Sequence, residues 1–459
     1  LLKKIIIMRG ILFRLILSGI LGIASLPLCY QVEAQPKVWS VDDCIRFALE
    51  KNIQVQKAGV ARDMSEINLR YSKAAWLPSL SGSARENLSW ANQSSTTTGS
   101  TVYKGTNGTN VSLSSGMTIY NGNKIRNEVK RAEADLQADQ YNTDVIRENV
   151  SLSVLDGYLQ VLYSGEQVRN SMNQISSTEE QLNLAEERMK LGVISTSDYL
   201  QVKSQLATEK QTLASVKSQL AINRITLMQL MELPETRDFE IEHPNIDSMV
   251  NEKRLPDPVE VYRIALGFKP EVKNAELNKK SSQLGVEIAK AGFFPDISLS
   301  AGLSTLYSSS RSSDYAGQFK DNLSPAVGLS ASIPIFLNRQ VRTNIELAKK
   351  NTTSAELDEI NVRNQLRKSI EQACQDVTSS QTEYEASLEA YKAVKESFDV
   401  AAEKYAQGLM NSVDFLIQKT SYIASESNLL QSKYRLIFSY KVLDFYIGKP
   451  LTFKSDLNK

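Results

Sequence analysis

Residues 187–200 read ERMKLGVISTSDYL, and residues 403–416 read EKYAQGLMNSVDFL. The two stretches share a glycine followed six residues later by an aspartate: Gly192 with Asp198, and Gly408 with Asp414. Outward from this pair the match continues without a gap, carrying 122–234 onto 338–450 at a constant offset of 216. Arg126 falls on Arg342, Leu206 on Tyr422 and Pro234 on Pro450. Further upstream the offset becomes 217, with Arg46-Phe47-Ala48-Leu49 on Arg263-Ile264-Ala265-Leu266 and Pro78 on Pro295. A period above two hundred residues excludes short solenoid repeats. The chain is two copies of one unit, repeat one at 40–234 and repeat two at 256–450, and function is to be sought in what such units enclose.

The sequence around the two glycines has the period of a coiled coil. Val154, Val161, Val168, Ile175, Leu182 and Met189 recur every seven residues, and so do Ile370, Val377, Tyr384, Tyr391, Phe398 and Tyr405 in the second copy. Past the glycine the pattern resumes as Tyr199, Leu206, Leu213, Leu220 and Leu227, matched by Phe415, Tyr422, Leu429, Leu436 and Leu443. A strict seven-residue apolar repeat keeps one seam toward a partner helix. From Asn123 to Leu191 there is no proline, so an unbroken helix of about 100 Å is expected at 1.5 Å per residue. Two helical hairpins follow, at 122–231 and 338–447. The bland alternative for this pattern is a soluble dimeric coiled coil, the less favoured reading.

Four other segments alternate with period two. Ile297, Leu299, Ala301 and Leu303 are separated by Ser298, Ser300 and Gly302; Val327, Leu329, Ala331, Ile333 and Ile335 are separated by Gly328, Ser330, Ser332 and Pro334. In the first copy Val111, Leu113, Met117 and Ile119 alternate with small or polar residues, and 79–90 repeats the scheme more weakly. Strands are expected at 79–90, 110–120, 296–307 and 325–336, each about ten residues, which crosses a bilayer when tilted. The bland reading is a half-buried sheet, weakened because the second face lacks large residues. Ser-, Thr-, Asn- and Gly-rich stretches at 91–109 and 308–324 read as surface turns. Four strands cannot close a barrel, whose smallest members have about eight, so a barrel must be shared between protomers.

The first 34 residues read as an export signal. Lys3, Lys4, Arg9 and Arg14 precede an apolar stretch from Leu15 to Leu28, and Val32-Glu33-Ala34 supplies a cleavage site before Gln35. Lipidation at Cys29 is the alternative, disfavoured because Leu28 is not small. No later uncharged run reaches the length of a membrane-spanning helix. The formal charge of +1 shows no nucleic-acid footprint. Cys29, Cys44 and Cys374 form no metal-like cluster, and Cys44 and Cys374 read as buried thiols rather than a disulfide. The single His243 reads as a surface loop residue, and Asp42 with Asp43 as helix-capping acids. No phosphate loop, GxSxG or HExxH is present. Neither an enzyme nor a resident cofactor or metal is expected.

Helix, strand, strand, long hairpin, written twice, with Pro78 and Pro295 before the strands and the glycine–aspartate tips at 192/198 and 408/414, closely resembles the TolC-like outer membrane factors. The turns Ile119-Tyr120-Asn121-Gly122 and Ile335-Phe336-Leu337-Asn338 carry the same resemblance. It implies a mainly α fold with β: a homotrimer whose twelve strands form one barrel in the outer membrane of a Gram-negative bacterium, continued by a twelve-helix periplasmic tunnel. Stretches 234–255 and 448–459 would lie in a belt around the tunnel. The implied function is a passive exit duct, partnered by outer membrane lipid, a periplasmic adaptor and an inner-membrane transporter, in a tripartite efflux pump or type I secretion system. The competing class is the adaptor itself, which has one hairpin flanked by compact β domains.

The resemblance also assigns the tip. Gly192 and Gly408 turn the chain between antiparallel helices. Asp414 would face the pore, and Tyr405 would bond Asp198, next to Ser197, on the other hairpin. Asp198 and Asp414 would also suit helix caps. Two positions depart from the family's pattern: Met410 replaces a basic tip residue and Ile417 a second acidic one. A looser latch and a single acidic ring follow.

Overall fold

The computed structural model describes residues 38–94, 99, 101–234, 239–244, 250 and 257–453. The export signal, its Ala34–Gln35 cleavage site and Cys29 lie outside them. After the two-residue strand β1 (Val38–Trp39), the Ser40 hydroxyl accepts from the Asp43 amide and starts α1 (Val41–Lys51), with Asp42 and Asp43 in the positive first turn. Asn52 ends α1 and caps α2 (Ile53–Ala74), and Pro78 follows four residues later. Proline carries no amide donor and forces its predecessor out of helical geometry, so the helix gives way to strand β2 (Ser79–Ser94). Strand β3 (Thr101–Tyr120) returns antiparallel to it.

Gly122 and Asn123 then take left-handed backbone, φ +66° and +64°, which turns the chain out of the sheet into α3 (Lys124–Lys190). This helix is 67 residues long, about 100 Å at the usual rise. The return helix α4 (Thr196–Leu230) covers only its lower half; α2 lies against the upper half. After β4 (Glu240–Ile241), the second copy runs through α5 (Pro258–Phe268), α6 (Pro270–Lys290), β5 (Asp296–Ser308), a short α7 (Tyr315–Asp321), β6 (Ser324–Ser332), α8 (Gln340–Ala406) and α9 (Ser412–Ile447). Helices α3 and α8 have the same length and start and stop 216 residues apart. The fold is mainly helical and duplicated.

Four of the strands form one open sheet in the order β2-β3-β5-β6. One face carries cross-strand hydroxyl pairs, Ser81 with Ser114 at 2.9 Å, Ser83 with Ser112 at 2.8 Å and Ser298 with Ser330 at 2.7 Å. The other carries exposed Leu80, Leu88, Leu113, Val327 and Leu329. The first strand pair is longer than the ten residues expected: 16 and 20 residues, so much of 91–109 is paired strand rather than turn. Small β-tolerant Ser, Thr and Asn side chains leave the ladder free to continue past the apolar segment. The stretch 308–324 holds α7 instead of a plain turn. Asp314 caps it, and the buried Gln318 side chain donates to the carbonyls of Ser308 and Ser313 while accepting from the Ser308 amide. Strand β6 stops at Ser332, short of 336, where Pro334 interrupts amide pairing.

The core lies midway along the helices. Val154, Leu155, Leu162, Leu227, Ile370, Val377 and Leu436 meet there with Val41, Ala48 and Ile241. Strands β1 and β4 pair in parallel, Val38 with Glu240 and Trp39 with Ile241, and the buried Tyr158 hydroxyl donates to the Glu242 carbonyl at 2.7 Å. The described part of 234–255 thus packs at this level, where Phe239, Ile241 and Val250 join the core. Lys269, fully buried, joins the copies: its ammonium is 3.0 Å from Glu148 and 3.2 Å from the Phe445 ring centre. Cys44 and Cys374 are buried and form no disulfide, and His243 is exposed. Among the described residues no helix is long and apolar enough to span a membrane.

Candidate functional site at the hairpin tips

Both long helices end in the same backbone device. Gly192 and Gly408 adopt φ +73° and +76°, accessible to glycine without a Cβ clash. The amides of Gly192 and Val193 bond back to the carbonyls of Met189 and Arg188; those of Gly408 and Leu409 bond to Tyr405 and Lys404. The returning helices restart on side-chain caps. The Ser195 hydroxyl accepts from the Asp198 amide at 3.1 Å while the Asp198 carboxylate accepts from the Ser195 amide at 3.2 Å, a capping box. Asn411 accepts from the Asp414 amide and donates its own amide to the Asp414 carboxylate, both at 2.8 Å. Each aspartate therefore has a capping role that fixes where its carboxylate stands.

Inside the second hairpin the seam is aromatic. Tyr405 stacks on Phe415 at 4.5 Å, and the stack rises through Phe398 and Tyr422 to Tyr391. Met410 packs against this cluster, so the position that is basic in the family fills an apolar gap here. Burial pushes the Tyr405 hydroxyl pKa up, partly opposed by nearby Arg188. The corresponding seam of the first hairpin, from Ile175 through Leu182 to Met189, is aliphatic.

Between the hairpins, toward the tips, the contacts are polar. Arg188 donates to the backbone carbonyls of Tyr405, at 2.8 Å, and Ala406. The buried Ser412 hydroxyl donates to Asp198 and lies 3.3 Å from Gln201. Asp198 is held below the ordinary carboxylate value by the hydroxyls of Ser195 and then Ser412. Higher up, Lys419 and Glu209, 2% and 6% exposed, pair at 3.2 Å, with Thr178 bonded to both. Burial pulls the Lys419 pKa down, and the Glu209 carboxylate opposes it. Above these, Gln174 donates to Glu426 at 3.0 Å and the Tyr434 hydroxyl to Glu166 at 2.8 Å.

The expected bond from Tyr405 to Asp198 is not formed among the described residues. The ring is taken up by Phe415, and Ser412 supplies the hydroxyl that Asp198 accepts. Ser197 is exposed beside Asp198 and Asp414 is exposed on α9. Arg188, Ser412, Glu209 and Lys419 were not anticipated. A signal existed: Glu209 falls on Ser425 and Thr178 on Val394, so the copies disagree at the between-hairpin seam. Among the described residues no cluster of His, Cys, Asp or Glu can hold a metal.

The duplicated chain presents a half-apolar sheet at one end and paired helical tips at the other. Residues 44–232 and 261–449 match the family described as outer membrane efflux protein, and the chain belongs to it. It is 24% identical over 313 residues to the pyoverdine export outer membrane protein OpmQ of Pseudomonas aeruginosa, a match covering 65% of this chain and 61% of that one. It is 20% identical to nodulation protein T of Rhizobium leguminosarum bv. trifolii, covering 88% and 84%. Its fold resembles CusC, with TM-score 0.78, 17% identity and coverage of 91% and 95%. The Campylobacter jejuni CmeC outer membrane channel gives 0.77, 17%, 91% and 87%.

Proposed function

We propose that the chain is one subunit of a homotrimeric exit duct in the outer membrane of a Gram-negative bacterium, a passive conduit without enzymatic chemistry. The observation that carries this is the open sheet: four strands with an apolar face and a hydroxyl face, and unpaired edges at β2 and β6. Three such sheets side by side supply twelve strands, apolar toward lipid and hydroxyl-lined toward the lumen. The long hairpins continue the lumen into the periplasm and narrow it at the tips. Asp198 and Asp414 stand there, with Ser197, Tyr405 and the turns at Gly192 and Gly408, as the gate.

Exposed Leu191, Val193, Leu409 and Val413 ring the tips and suit a periplasmic adaptor that joins the duct to an inner-membrane transporter. That transporter, rather than the duct, selects the cargo, because a wet tunnel reads size and charge coarsely. Two hairpins and a shared sheet set the chain apart from an adaptor. Purified protein in planar bilayers tests the reading: discrete conductance steps and a trimer mass in detergent are expected. A folded monomer without conductance would overturn it.

A further inference from the structure

At the level of the core, α3 of the first copy and α9 of the second enclose a niche of about 260 Å³. Its floor is Leu159, Tyr163, Tyr434 and Phe438, all buried or half-buried. Its mouth carries Asp156, Gln160 and Arg435, all exposed. Tyr163 and Tyr434 meet edge to face, ring centres 5.8 Å apart and planes at 66°, and form an aromatic corner. Both phenols are anchored: the Tyr434 hydroxyl donates to Glu166 at 2.8 Å, and that of Tyr163 accepts from Gln167 at 2.7 Å.

The charges at the mouth do not cancel. Arg435 is taken by Glu383 at 3.0 Å. Asp156 has no ion-pair partner among the described residues and meets only the Gln160 side chain. A carboxylate beside aromatic rings is the chemistry that holds an organic cation, because the ring faces are electron-rich and the acid supplies the opposite charge. The niche also opens away from the belt. The Tyr158 hydroxyl, bonded to the Glu242 carbonyl, marks the belt side of α3. Asp156 and Gln160 stand two residues to either side of Tyr158, and so about 160° from it around the helix.

The other copy does not repeat these residues. Asp156, Leu159 and Tyr163 fall on Gln372, Gln375 and Ser379, while Tyr434 and Phe438 fall on Ser218 and Ile222. Helix packing shared by both copies therefore does not account for two tyrosines and an acid in one of them.

We propose that this niche is a binding site for an organic cation with an apolar body, its charge against Asp156 and its body on Tyr163, Tyr434 and Phe438. Its placement on the lumen wall rests on the duct reading, with the belt outside; its preference for a cation does not. A cationic cargo molecule would pause there midway along the tunnel, once per chain.

The test titrates benzyltrimethylammonium into the full-length protein in a maltoside detergent, followed by ligand-observed NMR, beside benzyl alcohol and benzenesulfonate. One site per chain is expected for the cation, with the neutral and anionic probes roughly tenfold weaker, the effect of one well-placed charge. Asp156→Asn, an exposed and nearly isosteric change, should bring the cation down to the level of benzyl alcohol, and Tyr163→Leu should weaken both. Gln372→Ala, at the counterpart position, should change neither. Equal binding of the three probes, or cation binding that survives Asp156→Asn, overturns the proposal. In planar bilayers the cation should lower wild-type conductance and leave that of Asp156→Asn unaffected. Binding in detergent without any effect on conductance overturns the lumenal placement. Protein that binds the cation but never conducts overturns the duct reading and leaves the niche standing.

Discussion

Toward the tips, the seam within hairpin two and the seam between the two hairpins are built from opposite materials. Within hairpin two, Tyr405, Phe415, Phe398 and Tyr422 pack ring against ring. Between the hairpins stand Arg188 on backbone carbonyls, Ser412 on Asp198, and Lys419 on Glu209. Apolar packing is non-directional, and opening it exposes surface to water. A hydrogen bond or ion pair can be exchanged for water at small net cost, unless it is buried. The exposed tip bonds of the polar seam are thus where one hairpin would slide past the other, with the buried Lys419–Glu209 pair as the latch. Glycine turns at equivalent positions keep both units alike in backbone, while the side chains between them have diverged.

The largest effect is expected at Lys419, because it is the buried charge in the sliding seam. Lys419→Ala strands the Glu209 carboxylate, a loss of about 3–5 kcal/mol for a buried pair with one partner removed. The tip should loosen, read as higher conductance and faster proteolysis at 187–200. Replacing both partners, Lys419→Met with Glu209→Met, should turn this stretch of the seam apolar and return conductance to the wild-type level or below.

Ser412→Ala should act in the same direction and less, by about 1 kcal/mol for one hydrogen bond. Acid should mimic it. The Asp198 carboxylate is held below its ordinary value, so its contribution is complete above that value and is lost as pH falls through the lowered one. Wild-type conductance should stay flat from neutrality to about pH 4 and rise only below it. A rise centred near neutrality would place the titrating group elsewhere.

Tyr405→Phe sharpens the comparison because it should do almost nothing to conductance. The ring belongs to the apolar seam and its hydroxyl does not hold Asp198. A several-fold increase would show that the hydroxyl latches the tip after all. The smallest change in structure is expected from Asp414→Ala, whose carboxylate is exposed. In a closed ring three such charges would attract multivalent cations. Block by those cations from the periplasmic side should weaken, with conductance in their absence nearly unchanged.

How much of this was legible beforehand follows the same division. The apolar seams were readable because Val154 to Met189 and Ile370 to Tyr405 announce themselves by period. The turns were readable because Gly192 and Gly408 recur with Asp198 and Asp414 behind them. The polar seam carries no period: a lysine at 419 looks like any solvated lysine until a second helix buries it. Strand length was misjudged for a related reason. Alternating apolar residues mark only the part of β2 and β3 that suits lipid, and the ladder runs on through Ser, Thr and Asn once pairing has begun. The Tyr405–Asp198 bond was inferred from family pattern, and the identity of residue 412 decided it differently.

Locking one seam and then the other tests the sliding most directly. Asp198→Cys with Ser412→Cys places a disulfide across the between-hairpin seam, and Tyr405→Cys with Phe415→Cys places one within hairpin two. Conductance is recorded in planar bilayers before and after reduction, with acid added from the periplasmic side only for the second pair, which keeps Asp198. Sliding between stiff hairpins predicts that the first tether holds conductance low until it is reduced, whereas the second leaves opening intact. Opening that survives the 198–412 tether, or is abolished by the 405–415 one, would contradict it.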